Sequence, residues 1–176
     1  MQSLWNDQDA AHYQSPLALR VYTSRLLGCE PSLVLHGGGN TSVKDTVENL
    51  FGQKEEILFV KGSGWDLATI EEPGFAPVKM DVLLEMAKLT DLSDTDMVKY
   101  QRAAMIDPSA PNPSVEAILH AIIPFKFVDH THLEHHGKTG CTACAVQCLD
   151  AGARYSNLKR QAGKSLSLCG YASCIF

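Results

Sequence analysis

Helix-like and strand-like stretches alternate along this chain, and that alternation predicts an α/β domain. Three observations carry the prediction: an amphipathic stretch with start and stop signals at Ser15–Leu27, an apolar strand at Glu56–Lys61, and a helix-then-strand unit from Pro111 to His132. At 176 residues the chain is long enough for one domain with a real core. Its 45% hydrophobic and 20% charged content fits a soluble globular protein. A net charge of −5 gives no reason to expect nucleic acid or an acidic membrane surface as partner. No apolar run approaches the roughly 20 residues that span a bilayer. The N-terminus lacks a basic region followed by an apolar one, so a cytoplasmic location is expected.

The first helix is marked by Ser15 at its N-cap, Pro16 in its first turn and Gly28 just past its end. Leu17, Val21, Ser24 and Leu27 fall near helical spacing, which predicts packing on a sheet. Leu33–Leu35 reads as a short buried strand broken by Gly37-Gly38-Gly39, with a strand resuming over Thr41–Lys44. Glu56–Lys61 runs into a second glycine-serine loop, Gly62-Ser63-Gly64. Such loops let the backbone approach a ligand and aim N–H groups at an anion, with Asn40 and Ser42 adding donors. The same loops also read as ordinary turns, and the spacing is not that of a dinucleotide fingerprint.

Val78–Thr90 reads as a helix with Val82, Leu83, Met86 and Leu89 inward, the methionines serving as core filler. Hydroxyl and acidic residues at Ser93–Asp96 start another helix, and Asp107-Pro108 ends it. A further helix is expected from Ser114, as N-cap, to Ile123, followed by a strand over Lys126–His130.

The chemistry concentrates in this last unit. His130 and His132 alternate on a strand, so both imidazoles share one face. Glu116 and His120 are four apart on the preceding helix and also share a face. Two imidazoles with a carboxylate beside them suit a divalent metal and a general base. They suit equally a solvated histidine pair and a surface Glu–His pair.

These residues sit in a set of five blocks that resembles the class II aldolase/adducin family. The blocks are Leu35–Lys44, Val60–Glu71, Ser93–Val98, Pro108–His120 and Val128–His132, within a likeness covering about residues 15–132. The nearest likeness is the aldolase part of bifunctional rhamnulose-phosphate aldolase/alcohol dehydrogenases. The resemblance implies an α/β/α three-layer sandwich with a largely antiparallel central sheet, incomplete at its C-terminus. It implies a divalent metal, zinc in most members, and a cleavage that passes through an enediolate. Carried over by position, His130 and His132 are metal ligands and Glu116 is the acid/base residue. Gly39, Asn40, Ser63, Gly64 and Ser114 match phosphate-binding positions. Where many sugar-phosphate aldolases have a second serine before the glutamate, this chain has Val115. The partner implied is a small sugar phosphate such as rhamnulose 1-phosphate, and intact members form tetramers. A sugar-phosphate epimerase and an inactive truncated fragment are the alternatives.

Beyond His132 the sequence changes character. Up to that point there are 18 acidic and 10 basic residues and one cysteine; afterwards there are 2 and 5, with five cysteines. The expected organisation is a truncated aldolase-like domain over 1–132 and a Cys-rich tail over 133–176 that is not a domain. A third histidine ligand is missing. His135 or His136 could complete the set, or the tail could be foreign to the fold through a deletion or frame shift. Cys141, Cys144 and Cys148 lack the paired spacing of a zinc ribbon and read as unpaired thiols. The dehydrogenase half of the bifunctional enzymes is absent, so no NAD chemistry is expected of this chain.

Overall fold

A computed structural model describes residues 3–31, 33–34, 38–134 and 142–149; for 132–134 and 142–149 it describes the strand backbone. After a short helix α1 (Asp7–Ala10) comes α2 (Pro16–Gly28). As expected, the Ser15 hydroxyl caps α2 by accepting from the Ala18 amide at 3.0 Å. Gly28 is the last residue of the helix rather than the one beyond it, and a Cβ there would sit 2.1 Å from the Ala68 nitrogen. Two long strands follow, β1 (Asn40–Glu48) and β2 (Lys54–Lys61), then β3 (Phe75–Lys79). Helices α3 (Met80–Met86), α4 (Asp94–Ala103) and α5 (Ala117–Ile122) lead into β4 (Phe127–Glu134). A fifth strand, β5 (Thr142–Leu149), pairs along β4.

The strand order is β3-β2-β1-β4-β5, and every neighbouring pair is antiparallel. Alternation along the strands divides the apolar side chains between two faces. Leu58, Val60, Ala76 and Val78 pack with Leu83, Ala104, Ala117 and Ala121 of the α3–α5 side. Phe75 packs with Val21, Leu67 and Ile70 on the α2 side, with Phe59 against them. This is the three-layer arrangement with an antiparallel sheet.

Several boundaries differ from the sequence expectation, each for a local reason. Leu33–Val34 is a turn rather than a strand, because both amides bond back to the Glu30 carbonyl at 2.9 and 3.1 Å. The helix expected from Val78 begins at Met80. Phe75–Lys79 instead forms β3, and Pro77 is tolerated because β3 edges the sheet. Helix α3 stops at Met86, which leaves Leu89 56% exposed instead of inward. The helix expected from Ser114 begins at Ala117, since Pro113 bridges to Gly62 and the Ser114 amide donates to the Lys61 carbonyl at 3.3 Å. Backbone continues across the boundary placed at His132: Leu133 and Glu134 prolong β4, and β5 comes from the segment assigned to the tail.

Candidate active site

The late start of α5 decides what Glu116 does. Glu116 occupies the N-cap position in a non-helical conformation (φ −79°, ψ 0°), and its side chain makes no capping bond. The carboxylate turns instead toward β4, where its Oε1 lies 2.8 Å from His130 Nδ1. Asn40 is the cross-strand neighbour of His130 in the β1–β4 pair and donates a side-chain hydrogen bond to the same carboxylate. Burial by itself pushes the Glu116 carboxyl up. The hydrogen bond and charge of His130, the Asn40 amide and the His120 imidazole outweigh it, lowering the group from 4.5 to about 2. Glu116 is therefore ionised at neutral pH.

Both glycine-serine loops meet at this end of the sheet. Gly39 precedes Asn40 with φ +70°, and a Cβ there would press on the His130 carbonyl at 3.1 Å. Gly64 has φ +87° and open space around it, the left-handed conformation glycine adopts without strain. The Ser63 amide donates to the Asn112 carbonyl at 2.9 Å. Two residues further on, the Ser114 amide donates to the Lys61 carbonyl, so the Ser63-Gly64 loop and the Ser114 segment are tied together at the end of β2. Ser114 also accepts from the Glu116 amide at 3.3 Å through its hydroxyl. Thus Gly39, Asn40, Ser63, Gly64, Ser114, Glu116 and His130 all lie at one end of the sheet. His132 stands two residues past His130 in β4, opposite Cys144, and its side chain lies outside the described residues. His135 and His136 also lie outside them.

Two further groups were missed by reading the sequence, Lys61 and the Arg20–Asp129 pair. Lys61 is buried, and burial lowers its ammonium from the usual range, partly offset by Glu116 and Asp66. Its only sequence signal is a lysine at the strand end before Gly62-Ser63-Gly64. Arg20 and Asp129 form a fully buried ion pair at 2.6 Å on the α2 side of the sheet, directly behind His130. The Arg20 guanidinium also lies 5.7 Å from the centre of the Phe127 ring. No spacing rule announces that pair. His120, seen in the sequence as a helical neighbour of Glu116, is wholly buried with its Nδ1 2.7 Å from Ser42 Oγ. Burial first, then the positive groups around it, lowers its imidazole from 6.5 to about 3, so it is neutral.

A family model described as "Class II Aldolase and Adducin N-terminal domain" matches residues 18–164. The chain belongs to this family. The match continues past His132, where the motif resemblance stops. A solved class II aldolase relative, the N-terminal class II aldolase domain of a conserved protein from Thermoplasma acidophilum, superposes with a TM-score of 0.70 at 45% identity. That likeness covers 76% of this chain and 61% of the other. A Bacillus subtilis (strain 168) protein named uncharacterized oxidoreductase YuxG is 40% identical over 129 residues, 73% of this chain. The chain spans only 19% of that relative's length.

Class II aldolases generally use a divalent metal, so the donors here can be tested for fit. No group of three His, Cys, Asp or Glu side chains able to hold a metal occurs among the described residues. One described donor, His130, has suitable chemistry. A carboxylate on Nδ1 of His130 fixes the ring and leaves Nε2 as the ligand nitrogen, the usual support for a metal-bound imidazole. The described residues thus fit part of a metal-binding set.

Proposed function

We propose that this chain is a metal-dependent aldolase domain that cleaves a sugar phosphate of the rhamnulose 1-phosphate type. The observation that carries the reading is the 2.8 Å contact between Glu116 and His130, set beside the Ser63 and Ser114 loops. The carboxylate is ionised and so free to accept a proton, and the hydroxyls of Ser63 and Ser114 on the two tied loops suit a phosphate. His130, with His132, would hold zinc or another divalent ion, which would act as a Lewis acid on the substrate carbonyl.

Glu116 takes the proton from the hydroxyl of the carbon beyond the scissile bond. The carbon–carbon bond then breaks, its electron pair stays on the ketone side as an enediolate, and an aldehyde leaves. A proton returned to the enediolate carbon completes a ketone phosphate. Asn40 keeps the carboxylate turned toward the reacting group throughout. In this reading the domain works in the cytoplasm and assembles as a homo-oligomer, a tetramer as in intact family members. The several-fold longer Bacillus subtilis relative, named an oxidoreductase, fits an aldolase domain joined to a second one.

The test is a metal and cleavage assay. Zinc bound to the purified protein is measured by atomic emission, and retro-aldol cleavage of rhamnulose 1-phosphate is followed with and without chelator. Bound metal and chelator-sensitive cleavage are expected. Absence of both would leave the inactive fragment as the reading. Inversion at one carbon without release of aldehyde would make the domain an epimerase.

A further inference from the structure

We infer that Ser42 and His120 form a positioning pair for the Glu116 carboxylate, an inference that rests on Glu116 being the acid/base residue. Asn40 and Ser42 are two residues apart in β1 and so project on the same face, roughly 6.5 Å apart along the strand. Glu116 and His120 are four residues apart at the start of α5, and the His120 amide bonds to the Glu116 carbonyl at 3.0 Å. Four residues of helix rise about 6 Å. One step of the strand therefore matches one turn of the helix. The Asn40–Glu116 and Ser42–His120 bonds lie side by side as two ties between the same elements.

The second tie matters because the first is weakly supported. Glu116 precedes the helix proper, makes no capping bond, and its side chain is 26% exposed. Asn40 is buried but bonds it through one amide. His120 by contrast is wholly buried, on the inward side of α5 with Ala117 and Ala121. A small shift of α5 along β1 would break the Ser42 bond and draw Glu116 away from His130.

An imidazole is a costly way to fill this space. His120 Nε2 is buried and has no hydrogen-bond partner among the described residues, and an unsatisfied buried group costs about 1–3 kcal/mol. An aliphatic side chain would bury no polar nitrogen and so avoid that loss. What the imidazole adds is the 2.7 Å bond to Ser42, which fixes the register of α5 against β1.

Three variants test the pair: Ser42→Ala, His120→Leu, and His120→Asn, whose amide can reach the Nδ1 position. Two readouts are taken, the kcat and KM for rhamnulose 1-phosphate and the nitrogen-15 signals of the His130 imidazole. For Ser42→Ala and His120→Leu, kcat should fall about 10- to 100-fold with KM within about twofold, as expected when a catalytic group is displaced by a fraction of its reach. The His130 Nδ1 signal should move in both, while thermal unfolding shows folded protein. His120→Asn should recover kcat to within about threefold of the parent. Unchanged His130 signals in folded Ser42→Ala and His120→Leu would overturn the inference, as would a loss no larger than the loss of folded protein. If the parent itself cleaves nothing, the aldolase reading fails, and the His130 signals still decide whether the pair positions Glu116.

Discussion

Arg20 and Asp129 meet at 2.6 Å inside the protein, on the face of β4 that points away from His130. Neither side chain is solvent-exposed, and the same guanidinium lies 3.4 Å from the Ser42 carbonyl of β1. One buried cation thus holds the backs of the two strands that carry Asn40 and His130. Removing one partner leaves a charge buried without its counter-ion, which costs about 3–5 kcal/mol. Asp129→Asn and Arg20→Met should each lower stability by about that much in urea unfolding at pH 7. Arg20→Met with Asp129→Leu together should cost less than either alone. A loss below about 1 kcal/mol in both single variants would show that the pair is dispensable.

Glu116→Gln keeps the shape of the side chain and can still bond to Asn40, but it cannot accept a proton. Loss of a positioned acid/base group lowers turnover by about 100- to 10,000-fold. The variant should stay folded by circular dichroism and lose kcat over that range. Cleavage within about tenfold of the parent would remove Glu116 from its proposed role.

Stability should fall as the solution becomes acidic. His120 takes up a proton near pH 6.5 when exposed but only at about 3 in the fold, chiefly because of its burial. Between those values the unfolded chain binds the proton and the folded chain does not, so acid favours unfolding. Glu116 acts in the same sense lower down, between 4.5 and about 2. The contribution is complete above pH 6.5 and declines by up to about 1.4 kcal/mol per pH unit below it. Urea midpoints at pH 7.5, 6 and 5 should descend in the parent protein and descend less in His120→Gln. Equal slopes in the two proteins would show that His120 is not the group responsible.

Two glycines should respond to alanine for opposite reasons. Gly28 lies in a helix, where alanine gains about 1 kcal/mol in propensity. Its Cβ, however, would stand 2.1 Å from the Ala68 backbone, and that overpacking outweighs the gain. Gly64 has no atom in the way but holds φ +87°, which costs an alanine about 1–2 kcal/mol. Both substitutions should lower the thermal midpoint. A stabilised Gly28→Ala would mean that α2 can move away from the 67–68 backbone.

Local signals were legible wherever a rule of spacing or capping governs them. Ser15, Pro16 and the apolar run of β2 announced their elements, because caps and side-chain periodicity are fixed by neighbours in sequence. The start of α5 lies later than its local signal for a non-local reason. Ser114 has the chemistry of an N-cap, but its amide is claimed by the Lys61 carbonyl from a distant strand. Pro77 hid β3 because a proline in a strand is tolerated only at an edge, and edge position is a property of the sheet.

By itself the sequence determined the family, the residue types of the site, and the alternation that places residues 130 and 132 on one side of a strand. Tertiary structure decided which partners those residues meet. Ser42 and His120 are 78 positions apart in the chain, and only the insertion of β1 between β2 and β4 brings them together. The same strand order puts Asn40 beside His130 and turns Glu116 from a cap into their neighbour. Pairings across such separations depend on sheet order and on buried anchors such as Arg20–Asp129, and no local period encodes them.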